Sequence, residues 1–287
     1  MKIEYFKGKH PNFGDDLNPW MWPKLIPDFF DDDATTVFLG IGSIIGEKEF
    51  PKTTKKVVFG PGFVPEYHTK PDVNGDDWNF YFVRGPRTAR MLDLPVELGI
   101  GDSATLLKAL IKTRNHDGII SFMPHWESLD RGNWEEVCGL ADIKLIDPRS
   151  PVELVLNEIQ RSKKIITEAM HGAIVADALR VPWVPLLPLN KVHRNKWFDW
   201  AESLDIRLEH HALWPSSLNE ARLSKLRKPI MASPFVGLLN KVCTHTAAYR
   251  LSKLAEATPM LSDEFKLDRA TARMVEKVEL LKKNFKS

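Results

Sequence analysis

A histidine able to pass a proton near neutral pH and a glycine that leaves the backbone open to a ligand stand side by side at His171-Gly172. Ile165 and Ile166 precede them as an apolar run. Ile174, Val175, Ala178 and Leu179 follow at helical spacing, and Trp183 to Leu187 forms a second apolar run. The order is strand, turn, helix, strand, one half of a doubly wound α/β domain. In such folds ligands meet the carboxyl ends of the strands, where helix amino termini direct N–H groups at anions. His171 reads either as a hydrogen-bonded turn histidine or as part of an anion site, and its place at the turn favours the second.

Other strand ends carry polar groups of matching use. Asn12, Gly14, Asp15 and Asn18 cluster after the first strand, where Asp15 or Asp16 can cap a helix opening at Leu17. More side chains gather there than a cap needs, and Asn12, Asp15 and Asn18 suit hydrogen bonds to sugar hydroxyls. Gly40-Ile41-Gly42-Ser43 opens a glycine-rich turn whose spacing to Gly46 is one residue too long for a dinucleotide fingerprint. No acidic residue closes the following strand, so NAD is set aside, and the turn, with Ser43, can admit a substrate to the backbone. Arg84 and Arg87 flank Gly85-Pro86 at a strand end; guanidinium forks there suit a ligand with carboxylate and phosphate ends, or else lie on a solvated helix. His125 and Trp126 follow another strand, and an indole there can stack on a sugar face. The chain has no G-x-S-x-G elbow, Walker loop, H-E-x-x-H motif or acidic metal cluster, and Asp31-Asp32-Asp33 reads as a solvated loop.

The elements that must position these residues alternate. Strand-like runs at Ile3–Phe6, Thr36–Leu39, Val57–Phe59 and Asn79–Val83 precede helical runs, and the rhythm resumes at Ile119–Met123, Ile143–Ile146, Ile165–Thr167 and Trp183–Leu187. The polar stretch from Lys112 to Gly118 is the best boundary. This predicts an α/β domain over 1–112, a second over 113–216 holding the His171 turn, a cleft between them, and a helical tail over 217–287. In that tail Leu267, Thr271, Met274, Val278, Leu281 and Phe285 form one apolar seam, with Ser262 as the expected cap, acidic residues in the first turn and lysines at the end.

Bulk properties exclude several classes. A net charge of +2 over 287 residues does not argue for nucleic acid. Cys138 and Cys243 stand too far apart for a CxxC metal or redox pair. The amino terminus lacks a signal-peptide core and no segment reaches transmembrane length, so the cytoplasm is the expected compartment.

Taken in order, Asn12-Phe-Gly-Asp-Asp16, Val83-Arg-Gly-Pro-Arg87, Gly101-Asp-Ser-Ala104, Pro124-His125, Met170-His-Gly-Ala-Ile174 and Arg180-Val-Pro182 resemble the polysaccharide pyruvyltransferase family. Within it they are similar to the bacterial ketal pyruvyltransferases of exopolysaccharide synthesis, such as that of the succinoglycan pathway. The resemblance implies two Rossmann-like domains in a GT-B-like arrangement and transfer of pyruvate from phosphoenolpyruvate, a co-substrate with no further cofactor or metal. The acceptor it implies is a lipid-linked or polymeric saccharide, met at the inner face of the cytoplasmic membrane by peripheral association. It matches the family's histidine to His171 and a donor-binding arginine to Arg84, and together with the residues read above it gives His171 and Glu168 as the expected catalytic group. Arg84, Arg87, Gly172, His125 and Ser43 fall on the donor, and Asn12, Asp15, Asn18 and Trp126 on the acceptor. Ala169 stands where many relatives carry arginine. A nucleotide-sugar glycosyltransferase of the same architecture and a non-catalytic glycan-binding relative are the alternatives.

Overall fold

The computed structural model describes residues 1–223 and 234–286. In chain order the elements are β1 (Lys2–Glu4), α1 (Phe13–Leu25), β2 (Thr36–Leu39), β3 (Lys55–Phe59), β4 (Trp78–Phe82), α2 (Pro86–Met91), α3 (Leu107–Leu110), β5 (Ile119–Met123), α4 (Trp126–Arg131), α5 (Trp134–Ala141), β6 (Lys144–Leu145), α6 (Val152–Arg161), β7 (Ser162–Thr167), α7 (Met170–Ala178), β8 (Trp183–Leu187), α8 (Asn195–Ser203), β9 (His211–Ala212), α9 (Leu218–Leu223), α10 (Pro234–Ala255) and α11 (Glu264–Lys286). The protein is mixed α/β with parallel sheets and a helical carboxy-terminal part.

Two compact units share the chain. One comprises Met1–Lys112, Asn195–Leu208 and Ser262–Ser287; the other comprises Thr113–Arg194 and Glu209–Leu261. The residues from 217 onward do not form a body of their own. Helix α10 buries Ala247, Ala248, Leu251 and Leu254 in the core of the second unit, whereas α11 belongs to the first. Residues 224–233 of the expected tail lie outside the described residues.

The first unit carries a four-stranded parallel sheet in the order β1-β2-β3-β4. In β2 and β3 the residues Val37, Phe38, Leu39, Val57, Val58 and Phe59 are all buried, as parallel strands covered on both faces require, while the edge strand β1 is Lys-Ile-Glu and only partly buried. Trp22 of α1 packs edge-on against Phe38 and Phe59, at 4.7 and 5.5 Å between ring centroids. Helix α1 starts earlier than its acidic residues imply. Asn12 is the residue before its first turn, and Asp16 accepts from the Asn12 N–H at 3.1 Å. The α11 seam is buried at Leu267, Thr271, Met274, Val278 and Leu281, while Phe285 is exposed. Asp263, not Ser262, caps this helix, accepting from the Lys266 N–H at 3.0 Å. Each fully buried Leu, Met or Val contributes about 1.5–3 kcal/mol. Deleting residues 262–287 is therefore expected to lower the melting temperature by more than about 5 °C in a calorimetric scan. An unchanged melting temperature would show that the seam is not part of the fold's stability.

The second unit holds a five-stranded parallel sheet in the order β6-β5-β7-β8-β9. From β5 the chain moves to one side to make β6, then crosses to the other for β7, β8 and β9. The connections after β5 and β7 thus run in opposite directions from neighbouring strands. That reversal is the switch point at which open α/β sheets bind ligands beyond the carboxyl ends of their strands. Among the described residues no helix is long and apolar enough to cross a membrane.

Candidate functional site

The switch point of the second unit gathers His125 and Trp126 after β5, Glu168 to Gly172 after β7, and Leu189 to His193 after β8. His171 is half-buried in the first turn of the nine-residue helix α7. Gly172 has a packing role, unlike the ligand-approach role its type implies. A Cβ there would fall 2.6 Å from Thr167 Oγ1 and 2.7 Å from Met123 Sδ, so glycine is what lets α7 sit down on β5 and β7.

His125 is 8% exposed and stacks on His193 with 4.3 Å between ring centroids. Trp126, half-buried, lies 5.9 Å from His125. Glu127 joins them: His193 Nε2 lies 3.4 Å from its Oε2, which also accepts from Arg131 at 3.0 Å and from the Asn190 amide at 3.2 Å. Burial pushes the Glu127 carboxyl up, but the His193 hydrogen bond and charge, the Asn190 amide and the His125 charge outweigh it and hold the group well below the usual carboxylate range. His125, Glu127 and His193 are the group among the described residues that could hold a metal. The Glu127 oxygen nearest His193 also accepts from Arg131 and Asn190. Asn190 and His193 escaped the sequence reading because they lie more than 60 residues from the β5 turn; their only signal was a position after a fourth apolar run.

Glu168 is not placed to touch a substrate. It is 1% exposed, and its oxygens accept from His125 N at 2.9 Å, Ser128 Oγ at 3.0 Å and Leu189 N at 2.8 Å. It ties the ends of β5, β7 and β8 together and is a positioning residue. Burial, only partly offset by those hydrogen bonds from Leu189, His125 and Ser128, pushes its carboxyl from 4.5 up to about 7. The folded state therefore keeps a proton that the unfolded chain releases between those two values. Stability is highest below the lower one and falls as pH rises through the upper, by about 3 kcal/mol for this group. Urea unfolding at about pH 5 and about pH 7.5 should show a shallower decline in Glu168→Gln than in the wild type. Equal slopes would remove Glu168 as the source.

In the first unit the two arginines of the Val83–Arg87 turn have partners of their own. Arg84 is fully buried; its Nε donates to Asp199 Oδ2 at 3.0 Å and its Nη1 to Ser43 Oγ at 2.7 Å. Its guanidinium lies against Gly62, where a Cβ would fall 2.1 Å from Cζ. Asp199 also receives Thr88 N at 2.9 Å and Thr88 Oγ1 at 2.6 Å. Arg87 is exposed, pairs with Glu202 at 2.9 Å and lies over the Phe198 ring at 5.2 Å. Both arginines thus pair with carboxylates of α8. Nothing near residue 84 in the sequence announces a segment that returns more than a hundred residues later.

Asn18 is likewise taken. Its amide donates to Asp15 O and Ile41 O and accepts from Trp22 Nε1 and Ile41 N, which uses all four of its hydrogen-bonding positions. It fixes the turn after β2 and has nothing left for a sugar. Asn12 donates to the Asp15 carboxylate, and Asp15 Oδ1 stands 3.3 Å from where a Cβ on Gly42 would be. The Asn12–Asp15 pair and the Gly42-Ser43 turn therefore lie together at the carboxyl ends of β1 and β2.

The model of one protein family, polysaccharide pyruvyl transferase, matches residues 12–189, from the Asn12 turn to the end of β8. The chain belongs to the polysaccharide pyruvyl transferase family. It is also similar to the succinoglycan biosynthesis protein ExoV of Rhizobium meliloti (strain 1021), at 38% identity over 230 residues covering 79% of this chain and 72% of that protein. No solved structure matches it. This pyruvyltransferase places its family region over both the Asn12–Asp15 corner and the switch point with His125 and His171. Helices α8, α10 and α11 lie outside it. Asp199, the partner of Arg84, is among the residues they supply.

Proposed function

We propose that this pyruvyltransferase takes pyruvate from phosphoenolpyruvate and forms a ketal on two hydroxyls of an exopolysaccharide sugar, lipid-linked or polymeric. The observation that carries the reading is His171 in the first turn of α7 at the sheet's switch point, with the His125–Glu127–His193 cluster at the next strand ends. The relative's name, a succinoglycan biosynthesis protein, supports the acceptor class. The two parallel sheets support a pair of Rossmann-like domains, and the GT-B-like arrangement is part of the proposal.

The chemistry asks for an acid and for groups that accept negative charge. A proton goes to the methylene carbon of phosphoenolpyruvate, the central carbon becomes electrophilic, two sugar hydroxyls add to it in turn, and phosphate leaves with its oxygen; one hydroxyl proton restores the acid and the other leaves with the phosphate. His171 is the acid, since histidine is the side chain best matched to proton transfer near pH 7. The amino terminus of α7 offers N–H groups to a donor oxygen. His125 stands beside it for the donor and Trp126 for the acceptor; Asn12 and Asp15 are the acceptor groups of the first unit. No further cofactor is called for.

Donor identity tests this. Phosphoenolpyruvate at about a hundred times its dissociation constant should stabilise the protein by roughly 2.7 kcal/mol and raise its melting temperature by several degrees, with no rise from nucleotide sugars. A rise with a nucleotide sugar instead would make it a glycosyltransferase. Glycan binding with neither donor would make it a binding protein.

A further inference from the structure

Helix α10 is apolar on two opposite faces. At 100° per residue, Ala247, Leu251 and Leu254 with Ala248 form one side, and all four are buried in the core beside Trp134, Val137 and Cys138 of α5. On the other side Leu238, Val242 and Tyr249 share a stripe, with Leu239 at its border. They are 62, 52, 60 and 50% exposed. His245 and Thr246, also exposed, lie between Val242 and Tyr249. A helix of a water-facing surface carries polar residues there, so a stripe of this size calls for a partner.

The flanking groups identify the partner's chemistry. Within its 22 residues α10 has Lys241, Arg250 and Lys253 and no aspartate or glutamate. Lys253 pairs with Glu256 just past the helix end. Trp214, 42% exposed, lies 5.8 Å from the Arg250 guanidinium, whose Nε donates to Ala212 O at 3.1 Å. That contact sets an indole beside Arg250, which at 100° per residue lies next to the Leu239 border of the stripe. Aliphatic side chains bordered by tryptophan, tyrosine and cations suit the boundary between acyl chains and anionic headgroups. We propose that the outward face of α10, with Trp214, docks the protein on an anionic lipid bilayer. The surface lies outside the residues that carry transfer, and docking would hold the enzyme where lipid-linked saccharides are found.

Flotation of the full chain with phosphatidylcholine vesicles, with and without phosphatidylglycerol, tests this in the absence of phosphoenolpyruvate and saccharide. The result therefore does not depend on the reaction proposed above. The protein should float with the phosphatidylglycerol vesicles and far less with pure phosphatidylcholine, and added salt should weaken the difference. The triple variant Leu238→Ser, Val242→Ser, Tyr249→Ser should melt as the wild type does and bind at least about tenfold more weakly. Lys241→Glu, an exposed single change, should reduce the preference for anionic lipid. Absence of flotation by the wild type would overturn the proposal, as would equal flotation of the triple variant. A dimer in light scattering that the triple variant breaks, without lipid binding, would make the face a self-interface and overturn it too.

Discussion

Replacing His171 by glutamine is expected to lower turnover by roughly 10²–10⁴-fold and to leave the affinity for phosphoenolpyruvate, the proposed donor, nearly unchanged. Glutamine keeps a hydrogen-bonding group of similar reach but cannot give up a proton at neutral pH. The substitution should be silent in folding, because the packed side of α7 is made by Ala173, Ile174, Val175 and Ala178 and by Gly172 against β5 and β7, whereas His171 is half-buried. Single-turnover rates at saturating donor, with binding measured calorimetrically, separate the outcomes. If affinity falls and the saturated rate survives, His171 holds phosphate and another group supplies the proton. His193 is then the next residue to replace, because it stacks on His125 and lies 3.4 Å from the Glu127 carboxylate. Normal rate and affinity together return His171 to a structural role.

The inner strands and the parallel rhythm were legible because a parallel strand covered on both faces appears as an apolar run, whereas the two-residue β9, His211–Ala212, carries no such run and was not legible. Ile119–Met123 and Trp183–Leu187 are the same segments in sequence and structure. The His171 turn was legible for the same reason, since a strand, a short turn and a helix leave little choice of where the turn residues fall. Pairings set by chain return were not legible. Arg84 and Arg87 present the same local pattern whether they face a phosphate or a carboxylate, and only the position of α8 decides. Asn18 has the residue type of a sugar ligand, but the fold turns it inward onto Ile41 and Trp22. The seam of α11 was readable from its spacing. Its assignment to the first unit, while α10 joins the second, depends on long-range contacts that periodicity does not encode.

Arg84→Ala is expected to act first on stability, by about 3–5 kcal/mol, because it leaves the Asp199 carboxylate buried without its cation. Thr88 would still donate twice to Asp199, but neutral donors do not balance a charge enclosed at 2% exposure. Ser43 would lose its charged donor and Gly62 the flat group that covers it. Adding Asp199→Asn to Arg84→Ala removes the unbalanced charge, so the double variant should recover part of the loss, a coupling that urea unfolding can read as a double-mutant cycle. A donor-binding arginine behaves in the opposite way. Arg84→Ala would then melt normally and lose phosphoenolpyruvate affinity, and Asp199→Asn would restore nothing. The buried geometry favours the first pattern: two of the three guanidinium nitrogens are held by Asp199 and Ser43, and the third, Nη2, is enclosed with them. A loss of donor binding in an otherwise stable Arg84→Ala protein would show that this turn opens to the ligand, and would return the arginine to the donor site.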